Sequence, residues 1–425
     1  MAVTELLGLP RTRGRLPLVA AQGVDALGTG LFLPFAVVYF HAAKGIPLTA
    51  VGAALSAAAL LALPAGPLAG PLVDRFGPRR IVVAANALRV ATFTGYVFAG
   101  SLGQLVVLAA LTFWGEGLFW PASGALVAQV ADDGQRARWY AMERTLRNVG
   151  IGLGGLAGSA LVIAGGYTTI VVLNAASFLL AAALVAAWRG GRTDPPRTDP
   201  PQTDPPRTDP PRTVRVVARR RGYRAVLADR AFRRVLVTVF VFALCDLALT
   251  VLLSAYVLDT LRLLAWQPGV LFALNTVLVV LAQTVVARRV ERFGKPRTLQ
   301  VAAAVWAAAF LLFAVAPLAA PLPVFAVLTV ATAVFTAAEL LQAPTSSALT
   351  VALAPPHLRG RYLGLEELLW GVARVLAPVT FTALLGAGPQ LPWLVLAGSC
   401  MLAVVVLAGL RAVPEPAATR ETTDA

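Results

Sequence analysis

Four carboxylates sit inside long apolar runs, where an ionisable group needs a reason to be: Asp25, Glu116, Asp246 and Glu339. At the centre of a lipid bilayer such a charge costs about 2.5–3.5 kcal/mol on insertion scales. Their neighbours extend each into a polar stripe at helical spacing. Gln22 and Thr29 flank Asp25, and Thr250 lies one turn beyond Asp246. Ser123 lies two turns beyond Glu116, and Gln342 and Ser346 follow Glu339 on the same face. A carboxyl held in such surroundings can take up and release a proton near neutral pH, which is the chemistry a proton carrier needs. The alternative is structural: hydrogen bonding across helices, or pairing with Arg89 or Arg374, which also fall inside apolar runs. Trp114, Phe119 and Trp120 around Glu116 would give an aromatic wall suited to a lipophilic or cationic ligand. No cluster with metal-ligand spacing, nucleophile elbow or phosphate-binding loop occurs, and His41 and His357 fall far apart, so neither an enzyme nor a metal or other cofactor is expected.

The elements that must position these residues are membrane helices. The 425 residues are 58% hydrophobic and 13% charged, against about 25% charged in soluble domains. Hydropathy places twelve spans near 16–40, 49–72, 80–100, 104–130, 138–164, 166–188, 232–258, 267–288, 297–318, 322–352, 360–387 and 391–411. Residues 1–15 read as a short basic lead into the first span, not as a cleavable signal. The net charge of +15 is not that of a nucleic-acid binder, because its distribution follows the spans. Of the 36 Lys and Arg, all but Lys44, Arg89, Arg262 and Arg374 fall on one predicted side, which puts both termini in the cytoplasm. Cys245 and Cys400 fall in spans and imply no disulfide framework. The preference for Arg over Lys hints at a GC-rich bacterial genome.

Residues 193–213 repeat Thr-Asp-Pro-Pro-Arg, with Gln202 once in place of Arg. Such a segment cannot build a core and reads as an extended tether, with a regulatory docking role as the rival. The basic stretch after it, 215–234, is suited to anionic lipid headgroups. The tether splits the spans six and six, giving a cytoplasmic N-terminus at 1–15, bundles at 16–188 and 232–411, a linker at 189–231 and a tail at 412–425. The halves also match in sequence. Asp74-Arg75-Phe76-Gly77 returns as Glu291-Arg292-Phe293-Gly294 at an offset of 217. At an offset of 223, Glu116, Pro121, Ser123, Arg136, Arg138 and Glu143 return as Glu339, Pro344, Ser346, Arg359, Arg361 and Glu366. Asp25 and Thr29 return as Asp246 and Thr250 at 221.

The loop Gly70-Pro71-Leu72-Val73-Asp74-Arg75-Phe76-Gly77-Pro78-Arg79-Arg80, between the second and third spans, resembles the loop signature of the major facilitator superfamily. With the duplicated halves, the likeness covers almost the whole chain. It implies an all-α membrane protein of 12 transmembrane helices, arranged as two six-helix pseudo-repeat bundles. In that fold the first, fourth, seventh and tenth spans line a central cavity, so the four acids would surround one chamber. Asp25 and Glu116 rank first as proton sites, because drug/proton antiporters of this family carry acids in the N-terminal half. Glu339 follows; Asp246, placed close to the start of its span, competes as a cytoplasmic gate. Gly70 would allow close helix packing and Gly77 a tight turn. Asp74 would face the start of the eleventh span, and the pairs Arg138–Glu143 and Arg361–Glu366 would hold one state closed, each worth about 0–1 kcal/mol. Glu291, Arg292 and Gly294 would form the matching loop of the second half.

The fifth span, with Gly150, Gly152, Gly154, Gly155 and Gly158, resembles the Gly-rich fifth helix of the antiporter branch, though without its Pro. Ala373, Ala377 and Pro378 stand at the counterpart. The usual Arg of the fourth span is missing from 104–130, which leaves Arg89 as its substitute. The resemblance implies a monomeric secondary transporter of the bacterial plasma membrane. Its partners would be a small-molecule substrate, protons and the bilayer, and its work proton-coupled multidrug efflux by alternating access. A proton-linked nutrient importer and a non-transporting membrane sensor are the rival readings.

Overall fold

The computed structural model describes residues 14–131, 135–188, 226–290, 292–318, 324–355 and 358–410. The Thr-Asp-Pro-Pro-Arg repeat, the tail, most of the N-terminal lead and Glu291 lie outside them.

Among the described residues the chain is helical, without strands. Twelve helices follow in order, α1 Leu16–Ala43, α2 Leu48–Ala62 with Ala65–Phe76, α3 Pro78–Phe98, α4 Leu102–Val130, α5 Arg136–Gly165 and α6 Tyr167–Ala187. The second half holds α7 Arg230–Val251, α8 Gln267–Val290, α9 Lys295–Val315, α10 Val324–Leu353, α11 Arg359–Ala387 and α12 Leu391–Ala408. Eleven are long and apolar enough to span a bilayer, and the two parts of α2 make the twelfth. A span needs about 20 apolar residues, and Leu60, Val107, Ile163, Leu281 and Val405 stand exposed, as lipid-facing side chains do. Helix ends are set locally. Ser101 accepts from the Gln104 N–H in a capping box that starts α4. Asp229 accepts from the N–H groups of Ala231 and Phe232 at the start of α7.

Two spans are less regular than hydropathy suggests. The 49–72 span is bent by 42° where Pro64 interrupts the ladder and Leu63 bonds back to Leu60. Helix α1 tightens to a 3-10 turn at Leu33–Phe35 around Pro34 and loosens to a π turn at Tyr39–Ala43. By contrast, α4 and α10 run through Pro121 and Pro344 unbroken. Gly77 ends α2 with φ 82°, the tight turn expected of it.

The packing repeats between the halves. In the first, α1 packs on α5 and α6, α3 on α4 and α6, and α2 on α4. The second repeats each pairing six helices later: α7 on α11 and α12, α9 on α10 and α12, and α8 on α10. The halves join along two related seams, α2 on α11 and α5 on α8. They also touch where the far ends of α1 and α7 meet, away from the chain termini. Across the first seam, Ser56 accepts a hydrogen bond from the Val379 N–H, just past Pro378.

The fifth-span glycines divide between two neighbours. A Cβ on Gly150 would come 2.6 Å from that of Ala26; one on Gly158 would meet the Leu31 carbonyl oxygen at 2.6 Å; one on Gly154 would run into the backbone of Leu27 and Gly30. These three press on α1, whereas Gly152 faces Thr276 and Gly155 faces Phe272 of α8. Gly154→Val is therefore expected to lower stability by about 1–3 kcal/mol or more through overpacking. Thermal unfolding in detergent measures it, and an unchanged melting temperature would show that α1 and α5 can separate freely. Gly70 is different. It is exposed, with open space where a Cβ would stand, so the close packing expected of it does not occur. Past the bend, α2 packs on α3 and α4 within its own half.

Candidate transport site

In the first half, α1 and α3 bring Asp25 and Arg89 together at the middle of the bundle. Arg89 Nη1 donates to Asp25 Oδ1 at 2.8 Å, with both side chains buried. The same guanidinium donates to Asn86 Oδ1 at 3.0 Å and to Thr29 Oγ1 at 3.2 Å. Its flat face lies 3.6 Å from the centre of the Phe178 ring. Gly115 permits this arrangement, since a Cβ there would stand 2.8 Å from Arg89 Cγ. Asp25 is thus a neutralised member of a five-residue cluster, which is the structural alternative foreseen for it.

Glu116 is exposed, not buried, and makes no ion pair or hydrogen bond among the described residues. It lies within electrostatic reach of Asp25 and on the α4 face that carries Ser123. Ser123 links α1 to α5: Gln22 Nε2 donates to its oxygen at 3.4 Å, and it donates to Glu143 Oε1 at 3.0 Å. Of the expected aromatic wall, Trp120 lies beneath Arg147 at 4.8 Å and against Phe119. Trp114 instead donates to the Leu61 carbonyl and so belongs to the α2 contact.

The second half is built differently. Asp246 is sixteen residues into α7, which continues as far as Thr260 through short helical turns, so it stands mid-span and not close to the start as expected. It lies within electrostatic reach of Glu339 on α10. Glu339 Oε2 accepts from Asn275 Nδ2 at 2.8 Å, and the same amide group donates to Thr336 at 3.0 Å. No cation forms an ion pair with either acid among the described residues. Arg374 is near Asp246, but its contact is with Glu367 at 3.6 Å on the exposed side of α11. Arg144 of α5, in the first half, lies within electrostatic reach of Glu339. Thr250 donates to its own helix at Leu247, while Gln342 and Ser346 are buried beside the acids on α10.

The loop residues make contacts other than those expected. Arg79 donates to the carbonyls of Val185 and Ala186, at 3.1 and 2.8 Å, and so staples α3 to the end of α6. Cations are favoured at that helix end, where unpaired carbonyls carry partial negative charge. Arg75 covers Phe76. Asp74, Arg80 and Arg292 are exposed, and Gly294 precedes the first residue of α9. Neither expected loop pair forms among the described residues. Glu143 bonds to Ser123 in place of the exposed Arg138, and Glu366 is buried without Arg361. Both acids lie more than a turn into helices whose interiors draw them inward.

Sequence reasoning missed Asn86, Asn275 and Thr336. Each is a buried polar residue in an apolar helix, the same signal that exposed the acids.

A family model described as Major Facilitator Superfamily matches residues 18–269 and 264–424. The chain belongs to the major facilitator superfamily. Among relatives, a Na(+), Li(+), K(+)/H(+) antiporter of Planococcus maritimus is 23% identical over 391 residues, covering 84% of this chain and 87% of that one. Multidrug resistance protein MdtH of Aeromonas hydrophila is 27% identical over 398 residues, covering 91% and 92%. Among solved structures, nucleoside transporter NupG aligns with a TM-score of 0.75 at 12% identity, over 93% of this chain and 98% of that one. A POT family transporter aligns at 0.72 and 13% identity, over 95% and 98%. At such identities these two establish the fold, and this major facilitator protein shares it.

Proposed function

We propose that this major facilitator transporter is a proton-coupled exporter of small lipophilic or drug-like molecules. It sits in a bacterial plasma membrane with both chain ends in the cytoplasm. The observation that carries the coupling is the contrast between its halves. The acid of α1 is paired with Arg89, whereas Asp246 and Glu339 share a site without a cation in contact. Like charges within electrostatic reach of each other repel, so such a pair is suited to taking up a proton and to releasing it when a cation or an open aqueous path arrives. Alternating access then needs only that the halves rock across the α2–α11 and α5–α8 seams. In the present state they meet at the far ends of α1 and α7, and Glu116, Arg144 and Arg374 are exposed. The kinship with MdtH favours efflux, and that with the Planococcus antiporter favours proton exchange as the driving force.

The test is reconstitution into liposomes with an imposed proton gradient, using lipophilic cationic dyes as probes and alkali cations in a second series. Dye extrusion that follows the gradient and collapses with a protonophore is expected. Uptake in the same direction as the protons would overturn export in favour of the importer reading. Movement of alkali cations alone would move the proposal to ion exchange.

A further inference from the structure

The first bundle contains a small, mostly apolar chamber with a few polar groups on its wall. It lies between α1, α3, α4, α5 and α6, with Gln22, Asn86, Ser123 and Trp139 among apolar residues of its wall. Three polar atoms on this wall are buried without a hydrogen-bond partner: Gln22 Oε1, Asn86 Nδ2 and Trp139 Nε1. Asn86 is 1% exposed and Trp139 2%. The neighbouring bonds fix which way the amides point. Asn86 Oδ1 accepts from Arg89, which leaves its NH2 group without a partner on a residue that lines the chamber. Gln22 spends its NH2 group on Ser123, which leaves its carbonyl oxygen.

Two donors and one acceptor remain around one space. An unmet buried polar group costs about 1–3 kcal/mol, so three left open in one bundle would be expensive. An apolar occupant cannot satisfy them. Water can: it accepts from Asn86 and Trp139 and donates to Gln22, which matches the roughly three bonds a buried water typically makes. The space admits water-sized groups and little more.

We propose that this chamber is a binding site for ordered water, about one or two molecules. The water joins two clusters that the side chains alone leave separate. On one side stands Asp25–Arg89–Asn86, and on the other Gln22–Ser123–Glu143. Bridged, they form a continuous polar spine from Glu143 on α5 to the buried ion pair. Solvent thereby reaches the edge of the Arg89 cluster from inside the bundle, whichever solute the transporter carries.

Radiolytic hydroxyl-radical footprinting of the purified full chain tests this, because radicals form from bound water inside a protein and mark the side chains beside it. Tyr39 and Tyr256 are internal controls: both are fully buried, each donates its hydroxyl to a backbone carbonyl, and neither lines this chamber. Trp139 is expected to be oxidised several-fold faster than either. Ala181→Leu, which pushes a larger side chain into the space, is expected to bring Trp139 down to the control rate. Should that variant not fold, Gln22→Leu, which removes the acceptor at nearly constant volume, is read the same way. Oxidation of Trp139 no faster than the controls means a dry chamber and overturns the proposal. So does a rate that a folded filling variant leaves unchanged.

Discussion

Asp246→Asn or Glu339→Gln is expected to abolish the response of transport to a proton gradient while leaving solute binding within a few-fold of the native protein. In a coupled carrier the two gradients communicate through a free energy of about 1–3 kcal/mol, or about 5–150-fold in affinity, and removal of the titrating group removes that term. Each substitution keeps shape and hydrogen-bonding capacity. Asn275 can still serve an amide at 339 through its own carbonyl oxygen, so loss of packing does not explain the loss of coupling. Downhill exchange of solute without protons should persist in both variants. Liposome assays at several pH values, with and without a gradient, measure the two activities separately. Retention of the native pH response in both single variants would place the coupling elsewhere, with the exposed Glu116 next in line.

The second large effect concerns folding. Arg89→Leu should destabilise the protein by about 3–5 kcal/mol, the cost of leaving a buried charge without its partner. The loss extends beyond the ion pair, because the guanidinium also serves Asn86 and Thr29 and lies on Phe178. Combining Arg89→Leu with Asp25→Asn should recover a large part of the stability, since the uncompensated carboxylate is then gone. Unfolding temperatures of the two single variants and the double variant, in detergent, decide the matter. If the double variant is no more stable than Arg89→Leu alone, Asp25 is not the charge that Arg89 neutralises.

The fold was legible in the sequence because a bilayer enforces a simple rule. Twelve apolar runs, one-sided arginines and a repeated set of charged residues leave few architectures open. The four acids were legible for the same reason. Their pairing was not. Asp25 and Asp246 occupy matching sequence positions, yet one is paired and the other is not, because the pairing residue is 64 positions away on another helix. A trace of this lay in the repeat itself: the 217-residue offset that relates the two loops places Trp306 opposite Arg89. Trp306 is fully buried in α9 and offers the second half no cation. The loop ion pairs were misread for a different reason. Charge spacing marks which residues could meet on a surface, but Glu143 and Glu366 turn toward helix interiors that only the packed bundle defines. Trp114 and Gly70 likewise take their surroundings from the bend at Pro64, which three prolines in eight residues made foreseeable.

The divided glycines of α5 have a mechanical consequence. Toward α1 they seat backbone on backbone, a rigid mount that moves with its own bundle. Toward α8 the same helix offers few large knobs: Gly152 and Gly155 lie under Thr276 and Phe272, and the small Ser159 meets Gly269. Interlocked side chains would have to be prised out of their holes at every turnover; a smooth track lets the helices slip with small barriers. One helix thus serves as anchor on one flank and bearing on the other, and the ease of the rocking stroke is written into where it lacks side chains.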